Sequence, residues 1–327
     1  MGNETMDRIR KMLGCDLYNV SKYTGKGVLV AVLDSGVAMH PDLRGRIVEF
    51  RDFTGERRRR MQQRVYDDNG HGTHVCGILA GNGAASRGKY RGIAPECMLL
   101  CGKVLDKKGG GDLKTLIRGL EWINDLKKKY PIKVLNISIE MESDDNIDRE
   151  EWKIFRKYMS MIWSSGIAVV AAAGNKGPNL MTLSPIGECA SCICVGCHDG
   201  DYKGKKGSRT CEQYSSRGPG RDFDDSVSDS NRSFNPLKKP DIVAPGTDIV
   251  SCNYKYNITP YIAKSGTSMS APIVSGACAL CLQKYPTLGS DDLRRMLLNS
   301  VMDLGESWSK QGAGMLRIEQ LLARKVV

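Results

Sequence analysis

The sequence lacks a long apolar run. Its longest apolar stretches, at residues 27–33 and 166–174, fall well short of the ~18–20 residues needed to cross a membrane. The first ten residues are charged and contain no apolar segment, which is untypical of a secretory signal. We therefore expect no membrane partner and a cytoplasmic location.

Aromatic residues are also few, at 6% of the chain, although the charge balance is basic. Lys and Arg number 48 against 37 Asp and Glu, a net charge of +11, and apart from a run at 57–60 the basic residues are scattered. A nucleic-acid site usually combines a basic patch with aromatic side chains that stack on bases. The composition therefore predicts no nucleic-acid partner.

No segment rich in Pro, Gly and Ser divides the chain, and no internal repeat is visible. With 41% hydrophobic and 26% charged residues, the composition is that of an ordinary globular protein. A chain of this length buries roughly three quarters of its unfolded surface, enough for a core without disulfides. We expect one main domain.

Cysteines are too few for a disulfide scaffold, at 12 in the chain, and cytoplasmic thiols normally stay reduced. The spacing of Cys189, Cys192, Cys194 and Cys197 resembles a metal site. However, residues 190–196 are typical of a short buried strand, on which the middle two cysteines share one face and the outer two have the opposite parity. Because a buried free cysteine behaves as a small hydrophobe, we predict structural thiols and no metal. A zinc or iron–sulfur site is the alternative.

Short apolar runs alternate with amphipathic helical patterns. Most runs are continuous, as expected for a parallel sheet covered on both faces. Strands are predicted at residues 28–33, 46–50, 98–105, 133–139, 167–173 and 192–196, helices at 112–123, 150–164, 267–285 and 291–300, and surface loops at 54–68 and 222–235. The alternation predicts an α/β fold with an open sheet and right-handed crossovers.

Three segments place a polar side chain beside glycine at the end of a predicted element. Asp34 ends an apolar run, and sites in open α/β sheets form at the carboxyl ends of strands. His71 stands between glycines at a helix start, and Ser268 starts another helix, where the dipole stabilises negative charge. Taken singly, such residues are explained as turn residues and helix caps. A metal site of His71 with His74 lacks the Glu of the His-Glu-x-x-His pattern.

Together the three segments give the order Asp, His, Ser, which is that of subtilisin. The chain resembles the subtilisin-like serine proteases (subtilases). Residues 88–95 resemble in particular the intracellular bacterial branch of that family. The similar blocks are Asp34-Ser-Gly, His71-Gly-Thr-His-Val, Gly266-Thr-Ser-Met, the oxyanion-hole block Ala171-Ala-Ala-Gly-Asn175, Lys239-Pro-Asp-Ile-Val-Ala-Pro-Gly246 and Gln311-Gly-Ala-Gly-Met-Leu. The resemblance runs from about residue 17 to the C-terminus.

The resemblance implies a subtilisin-like three-layer α/β fold, with a short N-terminal extension at residues 1–16 and a catalytic domain at 17–327. It implies a serine endopeptidase, with Ser268 as nucleophile, His71 as general base and acid, and Asp34 as the carboxylate that orients the imidazole. The Asn175 side chain and the Ser268 backbone N–H would bind the oxyanion. A serine hydroxyl is too weak an acid to attack unaided, which is why the base is needed.

The resemblance also places an extended peptide or protein substrate between residues 109–111 and 135–139, as a strand added to exposed edges. The implied substrate-binding residues are Gly109, Gly110, Gly111, Ser138, Ile139 and Glu140. The family usually has Gly where this chain has Glu140, and a carboxylate on the wall of the P1 pocket predicts a bias against acidic P1 side chains. A cis peptide bond is implied at Ser184–Pro185.

The family's calcium loop has no convincing counterpart in residues 81–92, so we expect no required cofactor and leave a structural calcium open. Three alternatives also remain open: a processing protease dedicated to one peptide precursor, a peptide-binding pseudoprotease, and a metal protein built on the cysteine cluster. The complete set of Asp34, His71, Ser268 and Asn175 argues against the pseudoprotease. The sequence gives no indication of the oligomeric state.

Overall fold

A computed structural model describes residues 6–55, 64–141, 149–205, 207, 209–220 and 238–324. The strands are β1 (Leu29–Asp34), β2 (Ile47–Asp52), β3 (Met98–Lys103), β4 (Ile132–Ile137), β5 (Ala168–Ala172), β6 (Ile193–Cys197), β7 (Ile242–Ala244), β8 (Ile249–Cys252), β9 (Tyr261–Lys264), β10 (Val301–Met302) and β11 (Met315–Leu316). The helices are α1 (Met6–Met12), α2 (Tyr18–Ser21), α3 (His71–Ala80), α4 (Leu113–Leu126), α5 (Arg149–Ser164), α6 (Cys211–Tyr214), α7 (Thr267–Lys284), α8 (Ser290–Leu298), α9 (Trp308–Gln311) and α10 (Ile318–Ala323). The basic run, the predicted loop 222–235 and most of the loop 54–68 lie outside the described residues.

The central sheet has nine strands in the order β10-β11-β7-β6-β5-β4-β1-β3-β2. The pairing of β10 with β11 is antiparallel, and the other pairs in this sheet are parallel. The strand order reverses at β1, which lies between β3 and β4. At such a point the loops that leave neighbouring strands diverge and open a crevice. The mostly parallel sheet predicted from the sequence is confirmed.

The predicted strands correspond to β1 through β6. β1 is buried at every position, which explains its unbroken apolar run, because a parallel strand is covered on both faces. The strands β7 to β11 were not predicted from the sequence. Of these, β8 and β9 form a separate antiparallel pair, and β10 and β11 have only two residues each, too few for a periodic pattern.

Helices cover both faces of the sheet. Asp34 and Asn136 face α3 and α7, since Asp34 bonds His71 of α3 and Asn136 bonds a serine of α7. Leu33, the preceding residue of β1, faces the other way, where α4 packs so closely that a Cβ on Gly119 would lie 3.1 Å from its side chain. α5 packs against α4. The result is the three-layer α/β arrangement.

The segment before residue 17 packs against the rest of the fold. Met6, Ile9 and Leu13 are buried in the main hydrophobic core. Arg10 is only 5% exposed. Its guanidinium donates to the Gly92 carbonyl at 2.7 Å and pairs with a carboxylate six residues along the chain at 2.8 Å. In the described part of the chain, every helix is too short or too polar to cross a bilayer.

Candidate active site

The candidate functional side chains gather at the carboxyl ends of adjacent central strands. Asp34 ends β1, Ser138 follows β4, and Asn175 follows β5. The starts of α3 and α7 reach the same edge and add His71 and Ser268. Here a cleft of about 190 Å³ is lined by Asn69, His71, Leu105, Gly109, Ser138, Ile139, Glu140 and Ser268. The cleft lies beside β1, at the reversal of strand order where α/β sheets bind ligands.

Asp34 and His71 form a close pair at the back of this cleft. His71 Nδ1 lies 2.8 Å from Asp34 Oδ1, and the same oxygen accepts the Ser35 N–H at 2.7 Å. The Asp34 side chain is 1% exposed and that of His71 is 23% exposed. Burial alone would lower the pKa of His71, but the Asp34 carboxylate outweighs it and raises the pKa above its ordinary value of 6.5. The pair can therefore hold a proton on the imidazole.

The start of α3 is fixed to the end of β1 by a buried carboxylate, Asp67. Its Oδ1 accepts from Ser35 Oγ at 3.0 Å and from the Gly70 N–H at 2.7 Å. Its Oδ2 accepts from the Thr73 N–H at 2.9 Å, while Ser35 Oγ accepts from the Gly72 N–H at 2.8 Å. These bonds fix the position of α3, and hence of His71, relative to β1. The sequence analysis missed Asp67, whose only signal was its place just before the His motif.

His74 lies one turn further along α3 and forms a separate set of hydrogen bonds from His71. Its Nε2 donates to the carbonyls of Ile249 and Ile262, both at 3.0 Å. Burial lowers the pKa of His74 to about 3, so it stays neutral and bridges α3 to the β8–β9 pair. A metal site that pairs the two histidines does not fit this arrangement.

Ser268 is the second residue of α7 and is 7% exposed. Gly266 precedes the helix with φ 147°, a backbone angle that favours glycine and turns the chain from β9 into α7. Among the described residues, Ser268 Oγ makes no hydrogen bond, although it lines the same cleft as His71. Catalytic hydrogen bonds are often long in unliganded enzymes and shorten on substrate binding.

Asn175 is half-buried and is held at both ends of its side-chain amide. Its Oδ1 accepts from the Thr267 N–H at 2.9 Å and from Thr267 Oγ1 at 3.3 Å. Its backbone N–H and its Nδ2 donate to the two oxygens of Glu140, each at 3.0 Å. Glu140 thus lines the cleft and also binds Asn175. The sequence analysis missed this contact and the part played by Thr267.

The other substrate-binding residues predicted from the resemblance divide into two groups. Gly109, Ser138 and Ile139 line the cleft, whereas Gly110 and Gly111 are exposed but do not line it. The expected exposed edge at 135–139 is wrong over 135–137, because β4 pairs there with β1 on one side and β5 on the other. The residues after Ile137 lie beyond the paired part of β4.

The cysteines require one correction. Cys197 and Cys211 form a disulfide, with Cα atoms 5.3 Å apart, because α6 brings Cys211 to the end of β6. The expectation of free thiols was therefore wrong for this pair and holds for the ten others, all within the described residues. Burial raises the pKa of the Cys192 thiol, which disfavours the thiolate that a metal needs. Of the four spaced cysteines, only Cys197 belongs to a potential metal-binding group in the described chain.

Within the described ranges, two groups of side chains lie close enough together to hold a metal ion. One is the disulfide pair with Asp199, whose sulfurs are already bonded to each other. In the other, His40 Nδ1 accepts from the Asp42 N–H at 3.1 Å, Nε2 lies 2.9 Å from the Pro260 carbonyl, and Asp42 Oδ2 accepts from a tyrosine hydroxyl at 2.8 Å. Hydrogen bonding accounts for both nitrogens of this histidine.

The prediction of a cis peptide bond at Ser184–Pro185 was wrong. The cis bonds of the described residues are Gly177–Pro178, Gly218–Pro219 and Lys239–Pro240. The Ser184 carbonyl instead accepts from the Glu188 N–H at 3.1 Å, which opens a helical turn. Proline with a trans bond suits the first position of such a turn, because its φ is already helical and its missing N–H is not needed there.

Known proteins share this architecture. The family model described as the Subtilase family matches residues 25–315. Serine protease AprX of Bacillus subtilis (strain 168) is 36% identical over 320 residues, which cover 92% of this chain and 67% of that protein. Subtilisin Savinase of Lederbergia lenta is 31% identical over 297 residues, 90% of this chain and 91% of that protein. The solved structure of Sphericase is 28% identical, with a TM-score of 0.74, covering 94% of this chain and 96% of that one.

Proposed function

The chain belongs to the subtilase family and is a serine endopeptidase, and we propose that Asp34, His71 and Ser268 carry out its hydrolysis of peptide bonds. The observation that carries this assignment is the 2.8 Å contact between Asp34 and His71, placed in the cleft that Ser268 also lines. A buried carboxylate, an imidazole and a hydroxyl gathered at one cleft are the parts that nucleophilic catalysis by serine needs.

In the proposed reaction, Ser268 Oγ attacks the scissile carbonyl while His71 Nε2 takes its proton. Asp34, bonded to Nδ1, keeps the proton of the neutral imidazole on that nitrogen, so that Nε2 is free to act as the base. The imidazolium then returns its proton to the leaving amine, and water hydrolyses the acyl-enzyme by the same steps in reverse order. The raised pKa of His71 supports this role, because the charged form is stabilised where it is needed.

The oxyanion is proposed to bind between the Asn175 Nδ2–H and the backbone N–H of Ser268. Two features support this. Asn175 Oδ1 is bound to Thr267 in the first turn of α7, so the amide lies beside Ser268. The N–H groups of a helix start also lack intrahelical partners and favour negative charge. Donors aimed where charge develops stabilise the transition state rather than the substrate.

The substrates are peptides or proteins, and we propose an extended chain bound along residues 109–111 and 138–140. Glu140 lines this cleft, so a P1 carboxylate would meet a like charge. At a half-exposed rim the repulsion is about 1 kcal/mol, or severalfold in kcat/KM. Matched peptides with P1 Glu, Leu and Arg, tested on wild type and Glu140→Gly, measure the effect. If the ratio of kcat/KM for P1 Arg to that for P1 Glu is the same in the variant and in wild type, Glu140 does not form part of the P1 pocket.

The central test is Ser268→Ala. We expect an unchanged fold and a loss of about 10⁶ in kcat, a magnitude taken from subtilisin itself rather than worked out for this chain. Wild type should also be labelled at Ser268 by a fluorophosphonate. A variant that still cleaves peptides, or a wild type that resists the label, would contradict the assignment. Cleavage of casein distinguishes a general endopeptidase from one dedicated to a single precursor.

We also propose that the enzyme is cytoplasmic and needs no metal. Ten free cysteines in the described chain support a reducing compartment, whereas the Cys197–Cys211 disulfide argues the other way. Cell fractionation tests the location, and recovery of the protein outside the cytoplasm would reject it. Activity that is lost in EDTA and restored by calcium would reject metal independence.

A further inference from the structure

The side-chain amide of Asn175 is held by partners that allow only one orientation. Rotation by 180° would exchange its oxygen and nitrogen. The Thr267 N–H can only donate and the Glu140 carboxylate can only accept, so the rotated amide would oppose donor to donor and acceptor to acceptor. The observed orientation satisfies both, with Thr267 N to Oδ1 at 2.9 Å and Nδ2 to Glu140 Oε2 at 3.0 Å.

Glu140 makes a second bond that fixes the position of Asn175 as well as its orientation. Its Oε1 accepts the backbone N–H of Asn175 at 3.0 Å. The carboxylate therefore spans the main chain and the side chain of one residue and leaves the amide little freedom to turn. The nitrogen Nδ2 carries two hydrogens, of which Glu140 takes one. Among the described residues Nδ2 has no second acceptor, so the other hydrogen is available to the oxyanion.

We propose that Glu140 is a positioning residue, which acts through Asn175 and keeps its second N–H directed into the cleft. The inference rests on the proposed role of Asn175 as oxyanion donor. The preorganised donor avoids reorientation at the moment of reaction, which is the source of oxyanion-hole catalysis. Because the benefit arises only where charge develops, Glu140 supports kcat and contributes little to KM for substrates with a neutral P1 side chain.

The charge of Glu140 opposes this benefit, since a carboxylate near the oxyanion repels it. The two effects predict opposite results when the charge is removed. Glu140→Gln keeps the size of the side chain but offers one carbonyl acceptor for two donors, so one of the two bonds to Asn175 is lost and the amide is held less firmly. If positioning dominates, kcat falls; if repulsion dominates, kcat rises.

The experiment is a double-mutant cycle with a P1 Leu peptide, in which kcat and KM are measured separately. We expect Glu140→Gln to lower kcat about tenfold with KM within about twofold. Asn175→Ala should lower kcat by ~10²–10³, the loss known for the oxyanion donor of subtilisin, and the double variant should be no slower than Asn175→Ala alone. Glu121→Gln, the same change on the exposed surface of α4, is the control and should match wild type.

Each outcome of the cycle decides between the proposals. An unchanged or higher kcat in Glu140→Gln overturns the positioning role. The role is also overturned if Glu140→Gln lowers kcat tenfold in the Asn175→Ala background, because Glu140 would then act through a residue other than Asn175. If Asn175→Ala keeps the wild-type kcat, the oxyanion assignment itself fails, and the inference fails with it. Thermal unfolding checks that each variant is folded, and Glu140→Ala, which removes both bonds, should repeat the loss in kcat.

Discussion

Replacement of Asp34 by Asn should move the pKa of His71 from above 6.5 to below it. In the native pair the carboxylate lies 2.8 Å from Nδ1. With charge centres ~4 Å apart and an effective dielectric of ~20, an imidazolium and a carboxylate attract by about 4 kcal/mol. This attraction favours the charged imidazole, so its loss lowers the pKa of His71. Asn keeps a neutral hydrogen bond and removes the charge.

The lower limit for the variant comes from His74, on the same helix. His74 is fully buried and has no carboxylate against it, and burial lowers its pKa to about 3. The His71 side chain is 23% exposed, so it loses less hydration than His74. In Asp34→Asn the pKa of His71 should therefore fall below the ordinary 6.5, but less far than that of His74.

Activity should follow the neutral imidazole, since only that form can accept the proton of Ser268. In wild type, kcat/KM should rise with pH through the raised pKa of His71, and we expect its acid limb above pH 6.5. In Asp34→Asn the limb moves to lower pH, while kcat falls by about 10⁴ because Asn permits the wrong tautomer.

The direct assay is an NMR titration of the imidazole signals in the Ser268→Ala background, which removes self-digestion. The chain has only 4 histidines, so each signal is assignable by substitution, and His74 serves as an internal reference that should stay neutral near pH 5. An unchanged or higher pKa of His71 in the Asp34→Asn protein would refute the reasoning.

Three further predictions follow from packing and burial. Peroxide should slow the enzyme through Met269, next to the proposed nucleophile Ser268, because a sulfoxide is polar and bulkier than a thioether. The side chain is 1% exposed, so the loss should be gradual, and equal peroxide sensitivity in Met269→Ala would reject the prediction. The free energy of unfolding should fall as pH drops from 6.5 towards 3, by up to ~1.4 kcal/mol per pH unit from His74 alone. The reason is that His74 binds a proton more readily in the unfolded chain than in the folded one. In urea unfolding, the loss of stability between pH 7 and pH 5 should be smaller for His74→Gln than for wild type. Gly72→Ala should lower both kcat and the unfolding temperature, since its Cβ would lie 2.1 Å from the Gly36 carbonyl oxygen, whereas Gly289→Ala, with nothing within 4 Å, should match wild type.

Local patterns were enough to locate the ends of the central elements. An apolar run that stops at a carboxylate predicts where β1 ends, and the glycines before His71 and Thr267 predict where α3 and α7 begin. Such signals depend on a few consecutive residues. The roles of these side chains came from the resemblance, and they remain proposals to be tested by substitution.

Contacts between elements were beyond the sequence. Glu140 and Asn175 are 35 residues apart, and they meet because both follow the ends of neighbouring strands, β4 and β5. Cys197 and Cys211 meet because a short helix, α6, returns to the end of β6. No periodicity in a single segment records such a meeting, since it depends on strand order and register.

Glu140 is proposed to act on both the P1 side chain and Asn175. Its carboxylate has enough acceptor sites for both roles. A carboxylate offers about four lone pairs, and Asn175 uses one on each oxygen. A P1 Lys or Arg can therefore bind the remaining lone pairs without displacing Asn175. Since such a contact exists in the substrate complex and in the transition state alike, it should lower KM and leave kcat unchanged. If a basic P1 side chain instead competed with Asn175, kcat in wild type would be lower for P1 Arg than for P1 Leu, and the difference would vanish in Glu140→Gln.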